Sequence, residues 1–342
     1  MNRTRHGVAA AIAAAALLTS AACGGGGGSN ASTPPATPTP TPTPAAKNPF
    51  TGLGSVPTTP TIAVKIDDTA PGRPQVGIDK ADIVYIEAAE GGLTRLVAVF
   101  GTNTPTKVGY VRSTRPSDPE LLLQFGKITE AYSGGAHDSL PLVHKSGITS
   151  WSQDDGKPFY HRVSRSQSSY INVVLNVAKV AKKVKTPRPK TIGWTFDSSL
   201  GGLQSTKAKQ VRTVVTGANK DGTQVEFRYS KRLHKYVRYI DGVAQRAADG
   251  APIAATNVIV QQCKVRAHPQ DTDVNGNPAQ FTYTVGSGTV SVFRGGRRID
   301  GKWERPKVDD GTQFHTASGD PIPLAPGNTW VVLIRKGIPV HS

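Results

Sequence analysis

The spacing of apolar positions changes three times along the chain. Residues 8–22 form an alanine-rich, largely apolar run, and residues 24–44 carry no large apolar side chain. From residue 48 onward, short apolar bursts alternate with Gly, Pro, Asn and Asp. Residues 61–66, 82–87 and 93–100 have the length and β-branched content of strands, with Gly91-Gly92 turning the chain between the last two. Residues 127–132 read as another strand, followed by a loop from Ser133 to Asp138. Helical spacing is predicted in three places. Ser117, Pro119 and Glu120 set up a capping box over a helix running to Phe125. A second helix begins near Asp138, and a third covers residues 169–185, where Ile171, Val174, Leu175 and Ala178 fall at helical intervals.

Past Thr186-Pro187-Arg188-Pro189 the texture becomes that of strands. Residues 224–229 alternate, and residues 257–265, 280–285, 289–294 and 329–335 are further candidates separated by glycine-rich turns. The expectation is an α+β protein, with a mixed α/β N-terminal domain at residues 47–186 and a mainly β C-terminal domain at residues 187–342. No internal repeat is present.

The first apolar run has a different purpose. Arg3, Arg5 and His6 precede it, and its 15 residues fall short of the roughly 20 that span a bilayer, which suits a signal peptide over residues 1–22. Ser20-Ala21-Ala22-Cys23 then places small residues before a cysteine, as a lipobox does, making Cys23 the candidate lipidation site and the membrane the first expected partner. Ser20 stands where a lipobox usually has Leu, and the same small residues suit ordinary signal peptidase, so a freely secreted protein is the alternative. The glycine run and Pro-Thr alternation within residues 23–46 form a loose, partly extended tether. The second cysteine, Cys263, has no partner in the folded part if Cys23 carries lipid, and reads as a buried structural thiol.

The formal charge of +17 would suit nucleic-acid binding in a protein kept inside the cell, but export argues against nucleic acid as a partner. The charge is also uneven. Residues 47–170 have a net charge of +1 and residues 171–342 a net charge of +14, with six basic residues and no acidic one between Lys179 and Lys190. Outside a bacterium the abundant polyanions are lipid headgroups, phosphate-bearing wall polymers and peptidoglycan carboxylates, and these are the expected partners of such a face; a second envelope protein is another.

Candidate chemistry concentrates in the first domain. Val111 to Ser117 delivers Arg112 and Arg115 just before a helix start, where guanidinium forks and free backbone N–H groups favour an anion. Arg73 and Arg95 join them as anion-binding candidates. The opposing possibility is that Arg95, Arg112 and Arg115 pair with Glu87 and Glu90 and simply hold the domain together. Glu87, Glu90 and Asp67 are the weak catalytic candidates, as acid–base carboxylates of a hydrolase or transferase with the arginines as a substrate clamp. On a strand, however, Glu87 and Glu90 would face opposite ways. No spaced ligand motif gathers His137, Asp138 and the aspartates into a metal site, and no nucleophile elbow, phosphate loop or dinucleotide fingerprint occurs, so neither metal nor cofactor is expected.

Taken in order, Asn48-Pro-Phe-Thr-Gly-Leu53, Ala63-Val-Lys-Ile-Asp67, Arg73-Pro-Gln-Val-Gly77, Ala81-Asp-Ile-Val-Tyr85, Glu90-Gly-Gly-Leu-Thr-Arg95 and Gly109-Tyr-Val-Arg-Ser-Thr-Arg115 resemble the YerB-like bacterial lipoproteins. Asn257-Val-Ile-Val260, Trp303 and Pro326-Gly-Asn-Thr-Trp330 continue the likeness into the C-terminal part. The resemblance implies two domains behind a lipid anchor and brings no established activity. Asp68 departs from the family's usual Asn, and Gln167-Ser-Ser169 stands where Pro-His-Asn would be expected.

Overall fold

Alternate residues of single strands are sorted into two separate cores. In strand β2 (Ile83–Ala88), Ile83 and Tyr85 enter one core while Val84 and Ile86 enter the other. Strand β3 (Thr94–Phe100) and the carboxy-terminal strand Thr329–Arg335 divide in the same way. That is what period-two side chains do when a sheet is covered on both faces. The computed structural model describes residues 46–164, 170–218 and 222–342. The signal peptide, Cys23, the tether and Gln167-Ser168-Ser169 lie outside the described residues.

The main sheet runs in the order Gln313–His315, Arg297–Arg305, Gly286–Arg294, Asn257–Thr272, Thr329–Arg335, β2, β3, β1 (Ile62–Asp67), Thr129–Tyr132 and Thr149–Ser152. Its centre joins the two halves of the chain. Thr329–Arg335 pairs in parallel with β2, Ile83 opposite Thr329, and with Asn257–Thr272 on its other side. Residues 45–342 accordingly form one compact unit across the sequence boundary near residue 186. A second sheet built on Gln210–Thr216, Gly222–Ser230 and Lys235–Ile240 covers one face, with Phe227 edge-on to Trp330 at 5.6 Å. Burying side chains of that size contributes about 2–3 kcal/mol each.

Strands dominate, so the protein is mainly β with few helices. The helix predicted from residue 117 is one short turn, α1 (Asp118–Leu122), continued by a 3-10 turn at Leu123–Phe125. Its capping box does not form: Ser117 Oγ donates to Glu87, and Glu120 Oε1 accepts from the Thr284 and Val285 N–H groups at 2.6 and 3.0 Å. The helix near Asp138 is α2 (Ser139–Ser146). The third predicted helix is broken. Val173–Leu175 is a strand between Val108–Gly109 and Tyr160–Arg162, and only α3 (Val177–Ala181) is helical. Val174, one of the residues at helical spacing, has the β-branched Val173 beside it, and the two suit a buried ladder. Asn176 then starts α3 by accepting the Lys179 N–H at 2.9 Å.

Candidate functional site

Three charged side chains form one cross-strand row. Asp67 at the end of β1 and Glu87 near the end of β2 both stand opposite Arg95 of β3. The row lies beside the segment from Val111 to Ser117, which is pinned through Arg112 N–H to Lys65 C=O at 3.0 Å and Thr114 N–H to Gly134 C=O at 3.0 Å. One side of this region is closed, and the other opens to solvent.

The closed side centres on Lys65, whose side chain is fully buried. Its ammonium binds Glu87 Oε1 and both Asp118 oxygens, the latter at 2.6 and 2.8 Å. Ser117 Oγ donates to Glu87 at 3.2 Å, while Asp118 also accepts the Arg115 N–H at 2.7 Å. Thr114 Oγ1 donates to Glu130 Oε1 at 2.8 Å, and Glu130 Oε2 has no partner among the described residues. Two carboxylates thus hold one ammonium, with a third beyond them at Thr114. Burial opposes the Lys65 charge, but Asp118 and Glu87 outweigh it and raise its pKa. Burial and then the Asp118 carboxylate push Glu87 up to about 7. Burial and the same neighbour push Glu130 well above the usual carboxylate range. A proton is therefore shared within the cluster near neutral pH.

The open side is a cleft of about 740 Å³ lined by Arg95, Arg112 and Arg115 together with Asp67, Glu90 and Asp273. Arg115 clasps Glu90, with Nη2 donating to Oε2 at 2.6 Å, and also donates to the Ser113 and Thr114 carbonyls. Arg112 Nε approaches Asp67 Oδ2 to 3.0 Å, an ion pair not aligned as a hydrogen bond. Asp273 turns its carboxylate into its own hairpin turn, accepting from Asn275 N–H and from Asn277. Arg95 is left over. It is only 5 % exposed, donates from Nη1 to the Thr94 carbonyl at 3.0 Å, and has an Nε without a partner. Among the described residues no carboxylate lies within ion-pair distance of it. Burial, then the neighbouring Arg115, lower its pKa to about 10, so it stays charged at neutral pH at a cost of about 3 kcal/mol. An anion in the cleft would recover part of that cost.

Three of the four predicted anion-binding arginines therefore meet. Arg73 does not line the cleft; its Nη2 donates to the Asp68 carbonyl at 2.6 Å. The predicted helix N-terminus does not form the anion site either, because α1 has five residues and its first turn buries Asp118. Of the carboxylate candidates, Glu87 is enclosed with Lys65, while Glu90 and Asp67 reach the cleft already engaged by arginines. His137 and His268 flank Asp138 at 2.9 and 3.2 Å, and Asp271 caps α2 by accepting the Asp138 and Ser139 N–H groups. Cys263 is a buried free thiol whose pKa burial pushes up.

Sequence reasoning passed over Lys65, Asp118 and Glu130, and also the buried ion pair between Asp68 Oδ2 and Arg238 Nη2 at 2.8 Å. Lys65 did carry a signal, being a lone charge inside the apolar run Ile62–Ile66. The Asp68–Arg238 pair spans 170 residues and had none.

Residues 50–190 match the N-terminal domain, and residues 213–331 the C-terminal domain, of the protein of unknown function family DUF3048. A Bacillus subtilis (strain 168) protein named "Putative lipoprotein YerB" is 28% identical over 302 residues, covering 84% of this chain and 86% of its own. The crystal structure of the YerB protein from Bacillus subtilis superimposes with a TM-score of 0.72 at 23% identity, over 87% of this chain and all of that one, which is a likeness of fold.

Proposed function

From the premise that this chain belongs to the DUF3048 family, we propose that it is a lipoprotein held on the outer side of the cell membrane through Cys23, whose arginine cleft binds anionic cell-envelope material. The observation that carries this is Arg95, a buried guanidinium with no carboxylate in ion-pair contact among the described residues, lining an open cleft beside two further arginines. A residue kept only for structure would gain by having its charge matched, as Lys65 and Arg238 do. Long-range attraction comes from the exposed Lys179, Lys182, Lys183, Lys185, Arg188 and Lys190, which concentrate polyanions near the surface in a salt-sensitive way.

The test is co-sedimentation of residues 46–342 with isolated cell walls, with and without their anionic polymers, at low and high salt. The expected result is retention that requires the polymers, weakens with salt and falls about tenfold or more in Arg95→Met, the loss that follows when a charge-assisted hydrogen bond is removed. Equal retention of wild type and Arg95→Met would overturn the assignment of the cleft.

A further inference from the structure

The rim of the cleft is apolar in a way its floor is not. Eight large hydrophobic side chains are exposed among the described residues, and three of them, Leu93, Tyr170 and Val274, border this one cleft. They come from three separate stretches of chain, so sequence proximity does not explain their gathering. Leu93 follows the 3-10 turn Glu90–Gly92 and is 43 % exposed; Tyr170 is 64 % exposed. Val274 is fully exposed at 101 %, at the tip of the hairpin that joins Asn257–Thr272 to Pro278–Tyr283. That tip is held in shape. Asp273 N–H donates to Asn277 C=O at 2.9 Å, Gly276 N–H to Asp273 C=O at 3.0 Å, and the Asp273 carboxylate holds Asn275 and Asn277. A tip ordered by this many hydrogen bonds, with a valine turned fully into water, leaves its apolar surface for something else to cover.

We infer that the cleft rim is a membrane-docking face, with a lipid phosphate headgroup reaching Arg95 while Leu93, Tyr170 and Val274 enter the interfacial layer. This rests on the assignment of the cleft as an anion site and names its occupant as an anionic phospholipid. Charge complementarity supports the headgroup contact, since among the described residues Arg95 is the one cleft cation without a carboxylate in ion-pair contact. The sequence supplies the means of approach. The 22 residues between Cys23 and Ala46 could span at most about 75 Å, so a lipid on Cys23 would keep the cleft within that distance of the leaflet. Interfacial aromatic and aliphatic side chains beside basic groups are how peripheral proteins bind membranes reversibly.

The experiment uses residues 46–342, which hold both cores and lack the lipid. Protein is sedimented with vesicles of phosphatidylcholine alone or phosphatidylcholine mixed with phosphatidylglycerol, and inorganic phosphate and anionic wall polymer are tested as competitors. Wild type is expected to partition onto the phosphatidylglycerol vesicles only. Arg95→Met should lose about tenfold of that partition. Val274→Ser and Leu93→Ser should each lose severalfold on vesicles while retaining wild-type binding to wall polymer. Vesicle binding unchanged in Val274→Ser and Leu93→Ser would overturn the docking face. Arg95-dependent binding to wall polymer without partition onto any vesicle would overturn it too, while leaving the anion cleft standing. Binding to neither overturns both.

Discussion

Lys65 and Arg95 are both buried cations, on neighbouring strands and two residues apart in register, hence on the same face. Their surroundings are opposite. Lys65 has two carboxylates in contact and a third beyond, more negative charge than it can match. Among the described residues Arg95 has none within ion-pair distance; Arg115 and Arg112 press on it, and the more distant Asp67 and Glu90, each engaged by one of those arginines, only partly offset burial. Lys65 is sealed, whereas Arg95 lines an opening. Burial of a charge is therefore not what marks a site in this protein. An unmatched charge beside a way in does so, because the protein then bears a cost that only a visitor can remove.

The largest effect that would sharpen this contrast is expected from Lys65→Met. It leaves Glu87, Asp118 and Glu130 together without their ammonium, and stability in urea should fall by about 3–5 kcal/mol. A loss below about 1 kcal/mol would mean that the network does not hold β1 against α1. Arg95→Met should do the reverse, keeping or raising stability while anion retention drops about tenfold. If Arg95→Met unfolds the protein as Lys65→Met does, the contrast between the two cations disappears.

The closed cluster should also make stability depend on pH. Glu87 and Glu130 have raised pKa values in the folded chain, so between the ordinary carboxylate range and about 7 the folded state holds more protons than the unfolded one. Stability from this cluster is then greatest below that window and declines as pH rises through it. Glu130→Gln should flatten the decline and raise the urea midpoint at pH 8 with little change at pH 5. A midpoint that climbs from pH 5 to pH 8, and does so equally in Glu130→Gln, would contradict the shared proton. The smallest effect belongs to the exposed basic stretch. Lys182→Gln with Lys183→Gln should leave stability within about 0.5 kcal/mol and only lessen the salt dependence of wall retention.

What could be read from the chain in advance follows the range of the interactions involved. β1, β2 and β3 were legible because alternation and the Gly91-Gly92 turn act within a few residues. The segment around residue 173 was misread as helix because its valines satisfy a helical spacing and a strand equally, and distant Val108 decided between them. Arg112 and Arg115 were legible together because they directly precede a predicted helix start, and Arg95 joined them from the start of a predicted strand. Their separation into two pairs and one unmatched cation was not, because it depends on how Glu90 and Asp67 turn in space. Nor was the parallel joint between β2 and Thr329–Arg335 legible, which brings together residues about 250 positions apart and merges both domains into one sheet.

The central claim, that Arg95 is a charge awaiting an anion, is most directly tested by ligand-linked stability. Urea denaturation of residues 46–342 would be followed with increasing anionic wall polymer, for wild type and Arg95→Met side by side. A ligand that binds only the folded cleft raises the midpoint steadily with its concentration. The expected result is a rising midpoint for wild type and a flat one for Arg95→Met. Parallel rises in both proteins would show that the polymer binds elsewhere and that Arg95 awaits nothing.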